Sequence, residues 1–121
     1  KDATIVTYGM GVKWAETVLD DHPEWSVELI DLRTLVPWDQ KMVSESVSKT
    51  GKVLVLHEAT ITGGIGGEIS AVIHENCWQS LDAPVARTAS LDTPVPFASD
   101  LEREFMANCR LEADLEALLN R

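Results

Sequence analysis

Val53-Leu54-Val55-Leu56-His57-Glu58-Ala59-Thr60-Ile61-Thr62-Gly63-Gly64-Ile65-Gly66-Gly67-Glu68, residues 53–68, carries the strongest fold signal in the chain. Its first four residues are an unbroken β-branched and aliphatic run. Such a run suits a strand buried on both faces, which places it centrally in a parallel sheet. The glycine-rich stretch reads as a sharp strand-to-helix turn. Beyond it Ile65, Ile69, Val72 and Ile73 recur at helical spacing as far as about Gln79.

Outward from this unit the same alternation repeats. Thr4-Ile5-Val6-Thr7-Tyr8 reads as a strand stopped by Gly9, and Val12, Ala15, Val18 and Leu19 mark a helix over about 11–20. His22-Pro23 ends that helix, because the residue before proline is driven out of the helical region. Val27 to Leu32 is a second strand. Asp39, after Pro37-Trp38, caps a helix that should carry Met42, Val43, Ser46 and Val47 inward and stop at Gly51. Pro84-Val85-Ala86-Arg87-Thr88 is a further strand, and Leu111, Leu115, Leu118 and Leu119 stripe a terminal helix. Strands alternating with helices predict a three-layer α/β/α fold around a mostly parallel, open sheet of about five strands. Residues 1–121 are expected to form one domain. Because the chain opens without methionine, directly before an apolar strand, that domain is expected to be a fragment of a longer polypeptide.

Composition narrows the functional classes. With 121 residues, 45% of them hydrophobic, the chain can bury about two thirds of its unfolded surface without staples. A net charge of −10 opposes nucleic acid and anionic membrane surfaces while suiting a basic protein partner. Cys77 and Cys109 have neither CxxC nor histidine spacing around them, so they read as free thiols rather than metal ligands or a disulfide.

The candidate sites are weak as chemistry. The loop at Thr62, Gly63 and Gly64 opens a helix, where backbone N–H groups can hold phosphate. Its glycine spacing matches neither phosphate-binding pattern, and Glu68 in the first turn repels an anion. Close approach of the turn to a neighbouring domain or subunit is the preferred reading. His57 and Glu58 end the buried strand, where α/β sheets commonly bind ligands, but adjacent strand residues point to opposite faces. Asp92-Thr93-Pro94-Val95-Pro96-Phe97 forms a rigid loop ending in a large apolar side chain, which suits docking or packing. No activated nucleophile, metal cluster or phosphate cradle stands out.

Several of these segments occur together in one family. Val6-Thr7-Tyr8-Gly9-Met10, the run Val27 to Leu35, Pro37-Trp38-Asp39, Lys49-Thr50-Gly51-Lys52, His57-Glu58-Ala59, Thr62-Gly63-Gly64, Leu81-Asp82-Ala83-Pro84 and Asp92-Thr93-Pro94-Val95-Pro96 appear in family order. The chain resembles, over roughly residues 2 to 119, the carboxy-terminal transketolase-type domain of the beta subunit of thiamine-diphosphate-dependent 2-oxo acid dehydrogenases. Pyruvate, branched-chain and acetoin dehydrogenases belong there. Corresponding domains of transketolase and deoxyxylulose-phosphate synthase share the general pattern, and a free-standing α/β ligand-binding module is the alternative from another class.

The resemblance implies a subunit of a multienzyme complex that oxidatively decarboxylates a 2-oxo acid and passes the acyl group to lipoyl. Thiamine diphosphate and magnesium would then serve the whole enzyme, with no cofactor, metal or catalytic residue in this chain, which alone would be inactive. The implied partners are the polypeptide's own pyrimidine domain, an alpha subunit, a second beta subunit and the dihydrolipoyl acyltransferase core. Asp82 and the carboxylate of Arg121 are the implied docking residues. His57, Glu58, Thr62, Gly63, Gly64, Asp92, Thr93, Pro94, Pro96 and Phe97 are the implied interface residues. The compartment would be the bacterial cytoplasm or the mitochondrial matrix.

Overall fold

Each apolar run found in the sequence folds as a strand. The computed structural model describes residues 2–121, and its sheet holds β1 (Ala3–Thr7), β2 (Val27–Asp31), β3 (Val53–Thr60) and β4 (Ala86–Ser90). All neighbours pair in parallel, in the order β2-β1-β3-β4. The sheet thus has four strands among the described residues, not about five. After Ser90 the sequence supplies a proline-bound loop and two helices, and no further apolar run is left to form a strand.

The helices are α1 (Met10–Asp21), α2 (Gln40–Thr50), α3 (Ile65–Cys77), α4 (Ser99–Phe105) and α5 (Asn108–Leu119), with a single 3-10 turn at Trp78–Ser80. Side chains on β3 alternate between two layers, as strand geometry requires. Leu54 and Leu56 join Ile5, Ala15, Leu111 and Leu115 on the α1/α5 side. Val53 and Val55 join Val6, Val43, Val47 and Ile69 on the α2/α3 side. The expected α/β/α layering follows from that split.

Local signals hold where short-range chemistry decides. The Asp39 carboxylate accepts from the Met42 N–H at 2.9 Å and caps α2. At the other end Gly51 takes φ 72°, the left-handed conformation that only glycine adopts cheaply. One inward assignment on α2 fails. Met42 is half exposed, because the face turned to the sheet runs through Val43, Ser46, Val47 and Thr50. No helix among the described residues is long and apolar enough to cross a membrane.

Candidate interface sites at the two ends of the sheet

The carboxyl end of the sheet is organised by His57. Its ring is fully buried, while the adjacent Glu58 is exposed, so the two do face opposite ways. His57 Nδ1 donates to the Ala59 carbonyl at 2.9 Å, an acceptor that fixes the proton on Nδ1 and leaves a lone pair on Nε2. Nε2 has no hydrogen-bond partner among the described residues. Burial lowers the histidine pKa, and the nearby charge of Arg87 acts in the same direction. The ring is therefore neutral at physiological pH.

This histidine explains the glycines. A methyl group on Gly64 would lie 2.5 Å from His57 Cε1, and one on Gly66 would lie 2.5 Å from Nε2. The turn passes so close to the imidazole that only glycine fits. The close approach that these glycines permit within the chain is to its own histidine. Glu68 stands in the first turn of α3, as the sequence requires.

Thr62 and Asp92 fasten the glycine loop to the proline-bound segment. The Asp92 carboxylate accepts from the Thr62 N–H at 3.0 Å and from its hydroxyl at 2.5 Å. These two bonds hold the Asp92 carboxyl below its usual pKa. Beyond the clip, Thr93 and Pro94 are exposed and Pro96 is half-buried, while Phe97 is wholly exposed at 105%. Packing of Phe97 onto the chain's own core, one of the two readings of that loop, is thereby excluded.

A cleft of about 430 Å³ opens beside this segment, lined by Tyr8, Glu58, Val95, Glu102, Phe105 and Met106. Burial raises the Tyr8 phenol pKa, and the negative charge of Glu58 adds to it. The Tyr8 and His57 rings stack with centroids 6.4 Å apart. Of the residues lining this cleft, only Glu58 is a candidate site residue in the sequence. Phe105 and Met106 sit at the end of α4, a seven-residue helix whose polar, aperiodic sequence gives no signal.

Asp82 and the chain's last residues meet at the opposite, amino end of the strands. A second cleft, of about 470 Å³, is lined by Asp2, Glu24, Lys52, Asp82, Leu119 and Asn120. Asp82 N–H donates to the Gly51 carbonyl at 2.8 Å, and its carboxylate packs against the Gly51 α-carbon. Lys52 spends its ammonium on the Leu119 carbonyl at 2.8 Å, capping α5. Three carboxylates therefore face the cleft. Arg121 is exposed immediately beyond Asn120. His22, a turn residue in sequence terms, bridges Glu24 at 3.1 Å and Glu112 of α5 at 2.7 Å while stacking on Trp25.

The predicted residues thus fall into two groups at opposite ends of the sheet. Asp82 and Arg121 share one end, and His57, Glu58, Thr62–Gly64 and Asp92–Phe97 share the other.

Known proteins resemble the chain. The family model described as the C-terminal domain of transketolase matches residues 1–110. The mitochondrial 2-oxoisovalerate dehydrogenase subunit beta 2 of Arabidopsis thaliana is 50% identical over 97 residues, covering 78% of this chain and 27% of that protein. The 2-oxoisovalerate dehydrogenase subunit beta of Bacillus subtilis is 41% identical over 110 residues, 88% of this chain and 34% of the other. The chain therefore spans only about a quarter to a third of these relatives. Among solved structures, a split-gene transketolase described as an inactive beta4 tetramer superposes with a TM-score of 0.81 at 24% identity. That match covers 99% of this chain and 39% of the other, and it speaks for the fold alone.

Proposed function

We propose, from a chain that belongs to the family of transketolase carboxy-terminal domains, that it is the assembly and docking unit of a 2-oxo acid dehydrogenase beta subunit. The names of its relatives favour the branched-chain class of 2-oxo acid. The unit would form part of a longer polypeptide, as the lengths of those relatives suggest. Relatives occur in mitochondria and in bacteria, so either the mitochondrial matrix or the bacterial cytoplasm suits the complex.

One geometric observation carries the assembly role: Phe97 stands wholly in solvent on a proline-stiffened loop that Asp92 fastens to Thr62. A rigid apolar tip costs little ordering entropy on docking. This end would meet the polypeptide's own pyrimidine domain, the alpha subunit or a second beta subunit. The acidic cleft around Asp82 would meet the basic subunit-binding domain of the acyltransferase, since complementary fields select partners and speed encounter.

Thiamine diphosphate and magnesium would be held by other parts of the whole enzyme. Among the described residues no group of three or more His, Cys, Asp or Glu side chains could hold a metal ion. His57 fills the space beneath the glycine loop, and Glu68 repels an anion at the helix start. No chemical step is assigned to these residues, and the chain alone is expected to be inactive.

Two measurements test the reading. The protein should bind a basic subunit-binding domain in a salt-sensitive way, and Asp82→Lys should weaken it roughly tenfold or more. Equal affinity in that variant would remove Asp82 from the interface. Co-expression with the alpha subunit and the rest of the beta polypeptide should give a complex that Phe97→Ser weakens, and an unaffected complex would defeat the assembly role of the loop.

A further inference from the structure

We propose that the cleft at the carboxyl ends of β1 and β3 receives an arginine side chain from the polypeptide seated against this face. The inference rests on reading this end of the sheet as an interface. Glu58 and Glu102 both line the cleft, and neither forms an ion pair with a cationic side chain among the described residues. The other lining residues are Tyr8, Ala59, Thr60, Val95, Phe105 and Met106, of which Tyr8 is a half-buried aromatic.

Such a lining is amphipathic in one particular sense. It offers negative charge at the rim and flat or polarisable apolar surface behind it. A planar guanidinium matches both parts, because its donors meet carboxylates in a fork while its face stacks on aromatic rings. An ammonium would satisfy the charge but not the flat walls. The volume of about 430 Å³ lies within the usual range of binding clefts, and a single long side chain entering with its backbone fits it. Val95 belongs both to this cleft and to the loop that ends in Phe97, so an occupant here is continuous with one on the loop. Burial raises the Tyr8 pKa and the negative charge of Glu58 adds to it, which sets that carboxylate beside the phenol.

The test uses the chain with blocked arginine (N-acetyl-arginine-N-methylamide), blocked citrulline as its neutral isostere, and guanidinium chloride. Blocked arginine should shift the NMR signals of Tyr8, Glu58 and Met106 saturably, and citrulline should bind several-fold more weakly. Glu58→Gln and Glu102→Gln should each weaken arginine binding by about two- to fivefold, the range of an ion pair open to water. Tyr8 is the chain's one tyrosine, so tyrosinate absorbance gives an independent readout. Its pKa should fall when the cation is bound. Equal binding of citrulline, equal binding of bare guanidinium, or unchanged affinity in both glutamine variants would each overturn the assignment. A complex with the rest of the enzyme that Phe97→Ser leaves unaffected would instead count against the interface reading, so the two failures are told apart.

Discussion

The Asp92 carboxylate takes both hydrogen bonds that Thr62 can donate, from the backbone N–H and from the hydroxyl. Thirty residues apart in sequence, the two loops become one surface at the carboxyl end of the sheet. Their union makes Phe97 a fixed feature and not a waving tip.

Asp92→Ala should therefore loosen this end without unfolding the protein. Amide exchange at Thr62 should accelerate several-fold, while the global unfolding midpoint stays in place. The clip also has a pH signature. Because the two bonds depress the Asp92 pKa, the contact persists at neutral pH and is lost only as pH falls through that depressed value. The Thr62 amide resonance should report the step below the usual aspartate range; a step at the ordinary aspartate pKa would contradict the two-bond geometry.

Gly66 tests the relation between loop and histidine. A methyl group there would meet His57 Nε2 at 2.5 Å, so Gly66→Ala should destabilise by about 1–3 kcal/mol, the usual cost of overpacking. Replacing His57 by alanine in the same chain should recover much of that loss. Additive effects in denaturant unfolding would show that the ring is not what excludes the methyl.

These cases show what a sequence discloses. Asp39, Gly51 and the run Val53–Leu56 were legible because capping, left-handed φ and two-sided burial act within a few residues. The separation of His57 from Glu58 followed from strand alternation alone. The use of Gly64 and Gly66 was not legible, since it depends on where a side chain seven to nine residues earlier packs. Met42 reads as inward from sequence yet is half exposed, because helical spacing gives the inward face but not its edges. Helix α4 leaves no mark in the sequence, because its one buried residue, Phe105, gives no periodicity. The meeting of Asp82 with Leu119 and Asn120 is a product of topology, and no local signal carries it.

His22 should make stability depend on pH near neutrality. Hydrogen bonds to Glu112 and then Glu24 raise its pKa above the ordinary 6.5. A raised folded pKa means the contribution is fully present below the unfolded value and is lost as pH rises through the folded one. Thermal midpoints should thus decline modestly on going from slightly acid to slightly alkaline buffer. Glu112→Gln should flatten that slope and return the His22 titration, followed by NMR, towards 6.5. A His22 pKa unchanged in Glu112→Gln would show that the bridge does not form in solution.

Thr4 is the polar residue that the sheet buries most deliberately. It lies in a strand with no exposed side chain, and its hydroxyl is 2.8 Å from both the Ser46 and the Thr50 hydroxyls of α2. Ser46 in turn donates to the Glu28 carboxylate, which Lys49 pairs with at the surface. The chain of contacts runs from the core of β1 through α2 to solvent on β2. Thr4→Val keeps the shape and removes the hydroxyl, so it should cost about 1–2 kcal/mol, the range for leaving a buried partner under-satisfied. Ser46→Ala combined with Thr4→Val should cost less than the sum, with a coupling of about 0.5 kcal/mol or more. Strict additivity in urea unfolding would mean that the hydroxyls are merely neighbours, and that α2 is held to the sheet by Val43 and Val47 alone.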